Sequence, residues 1–182
     1  MCLAQVGKSA PDFSMPIACF GEAPGKRRMT LNEFSGRWLI LFFYPLDFTD
    51  VCPTELISMS DRIEEFSELG AEVLGVSVDS VHAHAAWMST PRLQGGVGPL
   101  KYPLASDMTR SVSSNYGILS DEACVALRGL FIVDPEGVLQ YAAVTNLNVG
   151  RSTDETLRVL QALQTGGLCP ADWKPGSAMV GM

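Results

Sequence analysis

Between Gly36 and Pro45 the chain reads RWLILFFY, residues 37–44, with no charged residue after Arg37. A half-exposed strand alternates apolar and polar side chains, whereas a short unbroken apolar run suits a strand covered on both faces. Such a strand needs layers on either side of it, which already points to a sheet packed between helices.

The neighbouring segments agree with that architecture. Thr30-Leu31-Asn32-Glu33 has the S/T-x-x-E form of a capping box, so a short helix leads into the run. After Pro45, Leu56, Met59, Ile63, Phe66 and Leu69 recur at three- and four-residue steps and predict one helix ending at Gly70. Residues 71–79, AEVLGVSVD, read as a second buried strand, and residues 81–89 as a helix that stops before Pro91. Residues 94–99, QGGVGP, form a glycine-rich loop. Residues 125–133, VALRGLFIV, read as a strand, Asp134 to Gly137 as a turn, and Val138 to Val144 as the hairpin partner. Ser152 to Glu155 is a second capping box, opening a helix that runs to Gly166. The last stretch holds four Gly and two Pro among residues 166–182 and reads as an irregular tail. The expectation is an α/β chain with a central mixed sheet flanked by helices, a main domain over residues 4–164 and a tail over 165–182.

Composition narrows the function. With 13 Lys+Arg against 20 Asp+Glu the formal charge is −7, which leaves no basic footprint for nucleic acid or an anionic membrane surface. The longest apolar run, Trp38 to Leu46, is interrupted by Pro45 and is too short to cross a bilayer. The first residues show no signal-peptide core, so a cytoplasmic location is expected. Five cysteines are scattered as Cys2, Cys19, Cys52, Cys124 and Cys169, without a C-x-x-C pair. His82 and His84 are the only histidines, and no metal-ligand spacing appears. A working cysteine here acts as a thiolate, with no metal or cofactor.

Cys52 has the surroundings for that. In PLDFTDVCPTE, residues 45–55, a buried strand ends, a turn follows and a helix begins near Cys52. A thiol in a first helical turn faces unpaired backbone N–H groups and the positive end of the helix dipole, and both favour the thiolate. Pro53 fits a first turn, where its missing N–H costs nothing. Thr49 can cap the helix or hold its hydroxyl near the sulfur. The blander reading makes Cys52 a small buried hydrophobe.

The segment resembles the peroxidatic-cysteine motif of the peroxiredoxins, P-x-x-x-T-x-x-C, with Pro45, Thr49 and Cys52 in register. VALRGLFIVD resembles the family strand that brings an arginine to the cysteine, here Arg128. VGRSTDETLRVLQALQ resembles the C-terminal helix region, and LCPADWKPG the resolving-cysteine segment around Cys169. The similarity runs from about residue 4 to residue 176 and is that of a typical two-cysteine peroxiredoxin, close to the alkyl hydroperoxide reductase C type. The resemblance implies a thioredoxin-like fold and reduction of hydrogen peroxide or alkyl hydroperoxides by Cys52. It implies Arg128 and Thr49 as donors to the reacting atoms, Pro45 as a shield for the sulfur, and Glu55 and Arg151 as the supporting network. Cys169 would resolve the sulfenic acid as a disulfide between subunits of a homodimer, with a ring of five dimers a further state. Thioredoxin or a flavoprotein disulfide reductase would restore the thiols.

Other residues match no catalytic position of the family. Cys124 is expected to pack ahead of its strand, Cys2 to oxidise incidentally, and Cys19 has no assigned role. His84 resembles a histidine of related sequences, and both histidines are expected to be structural. Trp87 belongs in the core or an interface, and Trp173 follows Cys169 in the family manner. Asp61, Glu64, Glu65 and Glu68 read as a solvated helix face. Only TGGL separates Gln164 from Cys169, a shorter connection than many relatives carry. The glycine motif Gly95-Gly96-Val97-Gly98 is present, but the helix ending in Tyr-Phe that accompanies it in peroxide-sensitive relatives is not, so resistance to excess peroxide is expected. Competing functions are a thiol–disulfide oxidoreductase, which would want a C-x-x-C, a cysteine hydrolase pairing Cys52 with a histidine, and a holdase chaperone. Insulin reduction, ester hydrolysis and suppression of aggregation separate these from peroxide consumption.

Overall fold

The structure, a computed structural model, describes residues 3–181; Cys2 lies outside the described residues. The chain divides into two compact units, Met1–Arg151 and Ser152–Met182.

The first unit is built on a seven-stranded mixed sheet with strand order β2-β1-β5-β4-β3-β6-β7. Its strands are β1 (Ser14–Ala18), β2 (Arg27–Thr30), β3 (Trp38–Phe43), β4 (Ala71–Ser77), β5 (Leu104–Ser106), β6 (Arg128–Val133) and β7 (Leu139–Thr145). β3 and β5 flank β4 in parallel, and the remaining pairs are antiparallel. Helices α1 (Cys52–Asp61), α2 (Ile63–Glu68), α3 (Val81–Ser89) and α4 (Ser111–Asn115) complete the unit, a thioredoxin-like fold.

β3 is the axis of the core. Every residue from Leu39 to Tyr44 has 0% exposure, so the apolar run is covered on both faces. Leu39, Leu41 and Phe43 join Leu74, Val76, Phe131 and Val133 in one cluster, while Ile40, Phe42 and Tyr44 point to the opposite face, as the two-residue strand period requires. Phe43 meets Phe131 edge-on at 5.8 Å, and Tyr116 meets Phe131 at 4.9 Å. The β6–β7 hairpin turns where expected: the Asp134 carboxylate accepts from the backbone N–H groups of Glu136 and Val138.

Three local expectations change. The long helix after Pro45 is two helices, interrupted at Arg62, whose φ of −111° and ψ of 19° leave the helical region. Outside groups bind the end of α1: the Tyr102 hydroxyl donates to the Leu56 carbonyl and the Lys101 N–H to the Ser60 hydroxyl. The apolar spacing continues across the break because it reports which face is covered and not whether the hydrogen-bond ladder is unbroken. Cys124 does not pack. It is exposed, with φ +53°, at the end of a turn closed by its N–H to the Ser120 carbonyl, and the strand starts only at Arg128. The acidic helix face is exposed as expected but also paired, Asp61 with Arg92, Glu64 with Lys101 and Glu65 with Arg62.

The second unit contains α5 (Thr153–Gln164), whose N-terminus is capped by the Ser152 hydroxyl accepting from the Glu155 N–H. Among the described residues its tail has no helix or strand but is tied together. The Val180 N–H donates to the Leu168 carbonyl, the buried Trp173 indole donates to the Ser177 carbonyl, and Arg158 donates to the Trp173 carbonyl.

Candidate active site

The chain leaves β3, turns through residues 45–51 and enters α1 with Cys52 as its first residue and Pro53 as its second. No side chain caps this end; the flanking residue is Val51, in the right-handed helical region. Thr49 therefore does not cap the helix. It is exposed, and its hydroxyl donates to the Leu46 carbonyl at 3.0 Å, because the tight turn after Pro45 brings that carbonyl within reach three residues back. Pro45 is buried at the start of the turn. Cys52 itself is fully buried.

One helical turn on, Glu55 lies on the same face as Cys52. Its carboxylate is buried between two arginines from distant parts of the unit. Arg128, the first residue of β6, donates from Nη1 to Glu55 Oε2 at 2.7 Å and to Cys52 Sγ at 3.4 Å. Its Nε and Nη2 both bond the Leu147 carbonyl, at 2.8 and 2.6 Å, so the guanidinium is fixed along its whole edge. Arg151 donates from Nε to Glu55 Oε1 at 2.9 Å and from Nη1 to the Gly129 carbonyl at 2.6 Å, with its guanidinium carbon 3.9 Å from the centre of the Phe42 ring. The Arg151 backbone N–H also donates to Glu55 Oε1. Burial pushes the Arg151 guanidinium below its ordinary range, and the hydrogen bonds and charge of Glu55 oppose that shift.

The charge balance of this cluster bears on its chemistry. Two guanidiniums against one carboxylate leave one positive charge in excess beside a buried sulfur. That charge lies beside Cys52 Sγ, 3.4 Å from Arg128 Nη1. The Arg128 edge then offers a fixed donor to any atom on which negative charge develops next to the sulfur.

Cys52, Glu55, Arg128 and Arg151 thus come together as one cluster. The carbonyl anchors at Leu147 and Gly129 and the ring of Phe42 were not legible in the sequence, since a backbone carbonyl carries no residue signature. Cys169 lies in the second unit, half-buried, with Sγ 3.4 Å from the Thr165 hydroxyl and 3.7 Å from the Ala162 carbonyl. His84 is wholly buried and His82 exposed. Among the described residues, no group of three or more His, Cys, Asp or Glu could hold a metal ion, and no helix is long and apolar enough to cross a membrane.

Comparison with known proteins fits this geometry. Residues 6–142 match the AhpC/TSA family. The chain belongs to that family. It is 57% identical, over 97% of its length and 98% of the relative's, to YkuU of Bacillus subtilis (strain 168), provisionally named a peroxiredoxin. It is 53% identical to peroxiredoxin-2 of Mus musculus over 96% of this chain and 88% of that one. The crystal structure of the reduced two-cysteine peroxiredoxin of Plasmodium vivax superposes with a TM-score of 0.91 at 42% identity, covering 95% of this chain and 91% of that one. As a peroxiredoxin, the chain is an oxidoreductase of the peroxidase class.

Proposed function

We propose that this peroxiredoxin reduces hydrogen peroxide and alkyl hydroperoxides through Cys52 and then closes a disulfide with Cys169 of a second subunit. The Cys52 thiolate attacks the terminal peroxide oxygen; the S–O bond forms, the O–O bond breaks, and the leaving alkoxide or hydroxide takes a proton. Cys52 is left as a sulfenic acid. The Cys169 thiol displaces its hydroxyl as water and forms the disulfide, which thioredoxin or a flavoprotein disulfide reductase reduces by exchange. The observation that carries this reading is the Arg128 Nη1 contact to Cys52 Sγ at 3.4 Å, made by a guanidinium that Glu55 and Leu147 hold in place. Negative charge spreads from sulfur onto both peroxide oxygens in the transition state, and a pre-set donor there stabilises it without reorganising. Pro45 shields the sulfur from water and Thr49 turns its hydroxyl to the peroxide once substrate enters. Residues 4–164 form the peroxidase domain and 165–182 the resolving tail, in a cytoplasmic homodimer that assembles as a ring of five.

The test is a disulfide map after one equivalent of hydrogen peroxide, by non-reducing gel and peptide mass spectrometry, on wild type, Cys52→Ser and Cys169→Ser. An intersubunit Cys52–Cys169 linkage, lost in both variants, is expected. A Cys52 that stops at sulfenic acid in wild type marks a one-cysteine peroxidase instead. Arg128→Lys, which keeps the charge but loses the fork, lowers the rate of Cys52 oxidation about 10²-fold.

A further inference from the structure

The turn between β3 and α1 delivers Pro45, Thr49 and Cys52, yet only one residue of 46–50 is buried, Asp47. Its carboxylate does not face the thiol. Oδ1 accepts from the Tyr44 hydroxyl at 2.8 Å, and Oδ2 lies 2.8 Å from His84 Nδ1. The Asp47 N–H donates to Asp79 Oδ2 at 2.9 Å. His84, on α3, has 0% exposure, and its other ring nitrogen, Nε2, lies 3.3 Å from the Ala105 carbonyl of β5. Burial and the Asp47 charge push the Tyr44 hydroxyl well above its ordinary range, so it remains a donor. Moving Asp47 would strand the buried Tyr44 hydroxyl and His84 ring, which ties the turn to one position.

The next residue is held from the same helix. Phe48 has φ +54°, a left-handed conformation that a bulky aromatic rarely adopts and that surrounding contacts must maintain. Its half-exposed ring rests against Trp87 with centroids 5.8 Å apart. His84 and Trp87 are three apart on α3 and so share a face. Two consecutive residues of the cysteine-bearing turn are therefore gripped by two residues one helical turn apart.

We propose that α3 is a clamp that sets the geometry of peroxide attack, with His84 acting through Asp47 and Trp87 acting through Phe48 as positioning residues. The clamp rests on the reading of Cys52 as the peroxide-reducing thiol. It fixes where the turn and the sulfur sit relative to the Arg128 donor, and peroxide reduction is sensitive to that placement in a way that simple thiol alkylation is not. Displacements of an ångström are enough to matter for an aligned displacement at oxygen.

The experiment compares two rates at Cys52 in wild type, His84→Ala, His84→Asn, His84→Gln and Phe48→Gly. One is single-turnover oxidation by hydrogen peroxide in stopped flow; the other is alkylation by iodoacetamide, followed at the Cys52 peptide by mass spectrometry. In His84→Ala and Phe48→Gly the peroxide rate is expected to fall about tenfold or more while alkylation stays within about threefold of wild type. His84→Asn restores the peroxide rate, because its amide can donate to Asp47 from near the Nδ1 position. His84→Gln, whose amide reaches towards Ala105, does not. Unchanged peroxide rates, a parallel fall of both rates, or equal rescue by Asn and Gln overturn the clamp. If His84→Ala does not fold, Phe48→Gly carries the test, since glycine favours that φ and the ring it removes is half exposed. A wild-type protein whose Cys52 does not react with peroxide overturns the reading of Cys52 and the clamp with it; a reactive wild type with unaffected variants overturns the clamp alone.

Discussion

Glu55 occupies the position where stability and chemistry meet most closely. Its two oxygens are shared between two buried guanidiniums, and its side chain and theirs are each at most 6% exposed. Glu55→Gln keeps the shape and removes the only carboxylate of the cluster, leaving two buried cations without their anion. Breaking a buried pair in this way costs about 3–5 kcal/mol, so urea unfolding should show a clear drop in midpoint. Peroxide reactivity should fall with it, because Arg128 loses the partner that aims its Nη1 at the sulfur. Of this arrangement only Cys52, at the start of a helix, was legible in local pattern, and Glu55 came from the family resemblance. Arg128 and Arg151 came from that resemblance too, as nothing in local spacing links them to Cys52. Of the Asp47–His84–Tyr44 cluster only His84 drew notice in the sequence, as a histidine resembling one in related sequences and expected to be structural.

At the scale of elements, periodicity identified the strands and helices with long apolar patterns and missed the short ones. β1, β2, β5 and α4 are three to five residues long, too few for a repeat to show. β1 also contains Pro16, which pairs with β2 but stands outside the two residues that pair with β5, so its missing N–H breaks no ladder there. The α1–α2 segment is tied to the loop after α3 and to the chain before β5 by Asp61–Arg92 and Glu64–Lys101. Hydrogen bonds from Arg92 and Lys101 hold these carboxyls below their ordinary range. A carboxyl depressed on folding stabilises the protein above its unfolded value and stops doing so as pH falls through its folded one. The contribution should therefore be present at neutral pH and fade progressively below about pH 4. Because both pairs are exposed it should be small and weaken with salt. Urea midpoints of wild type and Asp61→Asn, measured at pH 7 and pH 3, should differ slightly at the first and converge at the second.

For the whole molecule, β3 carries the heaviest structural demand, since it contacts both faces of the core and pairs on both edges with β4 and β6. Phe43, itself without exposure, packs 5.4 Å from the buried Tyr116 and 5.8 Å from the buried Phe131. Phe43→Ala should cost about 3–5 kcal/mol through lost burial and the cavity left behind, measured as a shift in the unfolding midpoint without loss of the Arg128–Cys52 arrangement in surviving folded protein. From sequence alone came the doubly covered strand, the closing hairpin and a cysteine at the start of a helix, because each follows from local apolar period, turn chemistry or end effects within a dozen residues. Which groups surround that cysteine was decided only by the folded sheet. Arg128 lies 76 positions from Cys52, Arg151 lies 96 from Glu55 and His84 lies 37 from Asp47. Contacts at such separations depend on strand order and register, which local pattern does not encode, and the sheet places β6 directly beside β3 so that its first residue reaches the sulfur.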